Sequence, residues 1–203
     1  MLRNNRKTAV KIAASVVLVG VAASVAGLGT FGSFTDSTSA SQDVSTGKVD
    51  ISSANGAQGF TMAANNLVPG DTVQRTIVLT RSSDTEKFGT VSLTTTATAN
   101  NVLTSDATNG LQLKVEQCDA AWVQGQSNTL TCPGNAVTVI AQRAVLGSNV
   151  DLGAATNALN AAGAVSNLRA TLTLPTSADN TFQGLTNKVN FTFDATQRAA
   201  ESR

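Results

Sequence analysis

Thr72-Val73-Gln74-Arg75-Thr76-Ile77-Val78-Leu79-Thr80 is the stretch that decides the fold. Val73, Arg75, Ile77 and Leu79 fall on one side of a period-two pattern, with only Val78 out of step, and this spacing predicts a strand with one buried face. Just upstream, Val68-Pro69-Gly70-Asp71 is a turn: proline pre-sets one central angle and glycine supplies the permissive next position. The same period recurs on both sides. Lys48-Val49-Asp50-Ile51 is a short alternating run, and Gly89 to Ala99 places Val91 and Leu93 among threonines. Leu111, Leu113 and Val115 alternate up to Cys118. Val137 to Leu146 and Arg169 to Leu174 are further strands, and Lys188 to Ala195 closes the series with Val189, Phe191 and Phe193 on one face.

Asn100 to Gly110 reads as turn, and the Ala-rich stretch Leu152 to Val165, limited by Gly153 and Gly163, as a short helix or loop. Seven to nine short strands with at most one short helix predict an all-β chain, an antiparallel β-sandwich or jelly roll. It occupies residues 47–197, with a polar tail at 198–203.

The first 33 residues read differently. Arg3, Arg6, Lys7 and Lys11 precede an uncharged run from Ile12 to Thr35, and the first carboxylate is Asp36. A basic start, an apolar centre and small residues at the end describe a cleavable secretory signal, 1–33. Ile12 to Phe34 is also long enough to be a retained anchor, although glycine, alanine, serine and threonine dilute its second half. Cleavage is expected after Gly32 or Ser33. Residues 34–46 are polar, lack apolar periodicity and are expected to be flexible in an isolated monomer.

Of the 203 residues, 14 are basic and 13 acidic, and none is histidine. Without residues 1–33 ten basic residues face thirteen acidic ones, a net charge of −3. No Lys/Arg cluster offers an electrostatic footprint for nucleic acid. Sparse charge also leaves strand edges weakly defended against edge-to-edge pairing.

Cys118 and Cys132 read as a disulfide in an exported chain. Closing a loop of about 15 residues stabilises by roughly 3 kcal/mol in the chain-entropy account. A metal-binding pair is the competing reading, without histidine or a third thiol to complete it. Trp122, the sole tryptophan, lies between the cysteines in a Gly/Gln/Ser/Asn-rich loop, either packed over the disulfide or offered as a ligand platform. Absence of histidine removes the commonest general base, the usual zinc ligand and any Ser-His-Asp arrangement. Asp84 with Glu86 and Glu116 with Asp119 lack the spacing of a calcium loop. No catalytic, cofactor-binding or metal residue is expected.

Three separated blocks resemble the TasA/camelysin family of exported bacterial proteins. The first is Gly29-Thr30-Phe31-Gly32-Ser33-Phe34-Thr35-Asp36, followed by Ser45-Thr46-Gly47-Lys48-Val49-Asp50-Ile51. The second is Leu67-Val68-Pro69-Gly70-Asp71. The third comprises Leu172-Thr173-Leu174-Pro175, Asn180-Thr181-Phe182-Gln183-Gly184 and Phe191-Thr192-Phe193-Asp194-Ala195-Thr196-Gln197.

The resemblance implies a jelly roll, removal of the signal between Ser33 and Phe34 by a SipW-type signal peptidase, and secretion to the matrix or cell surface. It further implies self-association into biofilm-matrix fibres, with or without an accessory matrix protein. In that arrangement a donor strand beginning Phe34-Thr35-Asp36 enters a neighbouring subunit. A secreted adhesive or ligand-binding module is the alternative. Camelysin relatives raise a metalloprotease as a third reading, but a conventional zinc peptidase site uses histidine ligands.

Overall fold

A computed structural model describes residues 35–37, 49–53, 60–126 and 129–199. The expected signal region, the Ser33–Phe34 junction and most of segment 34–46 lie outside them. Twelve strands are present among the described residues: β1 Thr35–Ser37, β2 Val49–Ser53, β3 Phe60–Asn65, β4 Thr72–Arg81, β5 Phe88–Ala97, β6 Gln112–Cys118, β7 Val123–Gln124, β8 Leu130–Thr131, β9 Ala136–Ala144, β10 Gly147–Asp151, β11 Val165–Thr173 and β12 Thr186–Gln197. One antiparallel sheet runs β1-β12-β5-β10, with β3 also on β12, and the other runs β2-β4-β11-β6-β9. β7 and β8 form a separate small hairpin.

The chain crosses repeatedly between the sheets: β6–β9 is nested inside β5–β10 and that inside β4–β11, while β5 also pairs with β12. This is the wrapping of a jelly roll, and the fold is all-β as the alternation required. Inward residues from both sheets form one core: Met62, Ile77, Leu79, Val91 and Leu93 meet Leu113, Val115, Leu168, Leu172, Val189 and Phe193. Each fully buried side chain of this size contributes about 1.5–3 kcal/mol. In β12 burial alternates residue by residue from Asn187 to Ala195, which a one-residue slip would invert.

The Ala-rich stretch holds a helix, α2, at Gly153–Asn160. Polar side chains attach it to β5. Thr156 Oγ1 accepts from the Val91 amide at 2.9 Å, and the Asn160 side chain bonds both the amide and the carbonyl of Phe88 at 2.8 Å. A single helical turn, α1, at Val102–Ser105 lies within the stretch read as turn, because Leu103 must be buried there.

The Val68–Asp71 turn forms as its residues dictate. Gly70 takes a φ of +99°, where a side chain is strained. The Asp71 amide donates to the Val68 carbonyl, and Asp71 Oδ2 accepts from the Val68 amide, both at 2.9 Å. Gly70 N also donates to Leu174 O, and Leu174 N to Asp71 O, so the turn is tied to the residue before Pro175.

Candidate functional site

β12 is flanked on one side by β5 over nearly its whole length, from Val189 opposite Ala97 to Gln197 opposite Phe88. Its other side is divided. β3 covers Thr186 to Phe191, and β1 covers Asp194 to Thr196, with Thr35 opposite Thr196, Asp36 opposite Ala195 and Ser37 opposite Asp194. Thr35 and Asp36 therefore stand on a three-residue strand that completes an edge shared with β3. What holds such a strand is chiefly main-chain hydrogen bonding, which any chain of suitable length could supply.

The remaining motif residues are structural. Phe191 and Phe193 are core residues. Gln183 closes a 3-10 turn at Asn180–Phe182, Gly184 follows at a φ of +70°, and Asp179 caps the turn through the Thr181 amide. Gln197 ends β12 where its carbonyl packs so closely on Gly89 that a Cβ there would lie 2.9 Å away. Pro69, Gly70 and Asp71 make the turn already described.

Cys118 and Cys132 are joined, with their Cα atoms 5.7 Å apart. The chain between them folds back over the outward face of the β2–β9 sheet. Trp122 lies against Arg169 of β11, the guanidinium carbon 4.2 Å from the ring centroid, and its Nε1 donates to the Asn167 carbonyl at 3.0 Å. Arg169 also donates to the Leu130 carbonyl and forms an ion pair with Glu116 of β6, while Leu130 N donates to the Gln74 side chain. Lys114 Nζ approaches Glu116 at 2.8 Å. Burial acts to raise the Glu116 carboxyl, but hydrogen bonds from Lys114 and Arg169, with their charges, outweigh it and hold it below its ordinary value. The tryptophan thus meets an outward arginine at a position no spacing rule announces.

A family model described as Camelysin metallo-endopeptidase matches residues 7–202. The chain belongs to the camelysin family. Membership places it with exported, TasA-like proteins in general. Comparison with curated proteins and with solved structures gave no match. Among the described residues no helix is long and apolar enough to cross a membrane.

The family description implies a metal, and the donor set can be tested for it. Cys118, Asp119 and Cys132 are the one group of potential ligands found among the described residues, with ligand atoms within 4.8 Å of one another. Bonded to each other, the two sulfurs are not thiolates. The Asp119 carboxylate is engaged by the Asn135 amide and side chain at 2.9 and 3.1 Å. With no histidine in the chain, these residues do not fit a zinc peptidase centre, which needs three protein ligands and an open position.

Proposed function

We propose that this camelysin-family chain is a secreted structural protein, not an enzyme, and that it assembles into extracellular matrix fibres by passing its N-terminal strand to the next subunit. The supporting observation is the pairing of β1 with β12. Three residues close the edge beside β3, and β1 is separated from β2 by the eleven residues 38–48. A short strand held by main-chain bonds is the kind of element that exchanges between identical copies. In the isolated chain it completes its own sheet; in a fibre it completes the neighbour's. The contact is head-to-tail and does not close on itself, so it propagates as a filament.

In this account a SipW-type signal peptidase exposes Phe34 by cutting after Ser33, and polymerisation begins outside the cell. The protein's partners are its own copies, together with an accessory matrix protein or the cell surface. Nucleic acid is not among them. The test compares the form beginning at Phe34 with one beginning at Gly47 by negative-stain microscopy. The account predicts filaments from the first and separate particles from the second; the same filaments from both would reject strand donation.

A further inference from the structure

The sheets end together on the flank away from β1. β9 terminates one sheet and β10 the other, with no further strand beyond either among the described residues. Between them runs a shallow groove of 590 Å³ lined by Val139, Ile140, Arg143, Val150 and Asp151. Of the neighbouring apolar residues, Val137 on β9 is 50 % exposed and Leu146, between β9 and β10, is 38 % exposed.

β9 is nine residues long, lacks proline and carries one charge, Arg143. An unpaired edge of that composition is a template for another strand. Two register shifts against β6, on either side of Val115, bulge β9 and shorten the straight run available. The groove also holds one cation and one anion. Arg143 and Asp151 are both exposed, and neither makes an ion pair among the described residues.

We propose that this flank is a two-fold contact between two copies of the chain, in which the β9 edges abut and Arg143 of each copy meets the partner's Asp151. A two-fold axis turns one unpaired cation and one unpaired anion into two opposite-charge pairs. A ligand of a single charge sign would leave one of them facing its own kind. The second copy also supplies strand groups to the unpaired β9 main chain. Because the bulges restrict that ladder, the charge pairs decide whether it forms, and the contact is reversible and weakened by salt. It is independent of strand donation. β1 lies at the other end of its sheet, so two filaments could pair side by side through their β9 flanks.

Charge reversal tests this. The exported protein and its variants Arg143→Asp and Asp151→Arg are compared by sedimentation at low ionic strength, below the concentration at which filaments form, singly and as an equimolar mixture of the two variants. The wild type is expected to show a species of twice the monomer mass, each variant to lose it, and the mixture to regain it, since the mixed pair restores both opposite-charge contacts. Microscopy of either variant should show filaments that no longer run in pairs. A wild type without the double-mass species, variants that associate as the wild type does, or a mixture that fails to recover would each overturn the proposal.

Discussion

Thr35 of β1 is the register partner of Thr196 of β12, in the strand that ends the domain. The first and last strands among the described residues thus lie side by side, and the pairing is only three residues long. Thr196 also shares a hydroxyl hydrogen bond with Thr90 of β5 at 2.7 Å, so β12 is bonded to β5 at the level where β1 covers its other side for only three residues. In the proposed account this short cover is what lets the edge change partners while β5 holds β12 in place.

Replacing Cys118 and Cys132 by serine should leave the fold intact but less stable, by about 3 kcal/mol for a loop of this length. At roughly 2–4 °C per kcal/mol for a chain of this size, a thermal melt will register the change. Intact-mass analysis of the exported protein after alkylation without reductant should show no added label; two labels would mean that the pair is reduced.

Arg169→Ala removes the cation beside Trp122, one partner of Glu116 and the donor to Leu130 O. Charged hydrogen bonds contribute about 1.5–3 kcal/mol and an exposed cation–π contact about 0.5–1, so a loss of about 2–4 kcal/mol is expected in denaturant unfolding. Trp122 is the only tryptophan, and its emission should shift to the red as the loop lifts from the sheet. An unchanged spectrum would show that the loop is held by its other bonds.

Acid should weaken the fold through Glu116. Its folded-state value lies below the ordinary 4.5, so its contribution is present above that value and is lost as pH falls through the lower, folded one. Over this range the unfolded chain binds more protons, and stability declines with falling pH. Asp106 is lowered by amides of Asn109 and Thr108, and Asp179 by the hydroxyl and amide of Thr181, and both act in the same direction. Glu116→Gln should flatten the dependence of unfolding free energy on pH below 4.5; an unaltered slope would assign it to other carboxylates.

Much of the architecture was legible because burial alternates where the sequence does. Ile77 and Leu79, Val91 and Leu93, and Val189, Phe191 and Phe193 all face the core as their period requires. β10 was not legible: Gly147-Ser148-Asn149-Val150-Asp151 has one apolar residue, and its strand exists because β5 offers an edge to pair with. β3 carries Met62 and Ala64 inward, but the small residues around them mute the pattern. β1 is three polar residues with no period to detect.

The cysteine pairing followed from counting, whereas the Arg169–Glu116–Trp122 cluster did not. Arg169 and Glu116 are 53 residues apart and become neighbours only through the β11–β6 register. The Arg143–Asp151 groove likewise required knowing which two strands end their sheets.

The most direct measurement is a cross-link between the register partners Thr35 and Thr196. Opposed residues on antiparallel strands have Cβ atoms about 4.5–5.5 Å apart, close enough for Thr35→Cys and Thr196→Cys to bond after small adjustment. Oxidised within assembled filaments and run under denaturing, non-reducing conditions, the doubly substituted protein should give a ladder of covalently linked subunits, because each Cys side chain introduced at 35 lies against position 196 of a neighbour. Filaments that yield only internally linked monomers would contradict strand exchange, since β1 would then have stayed on its own sheet.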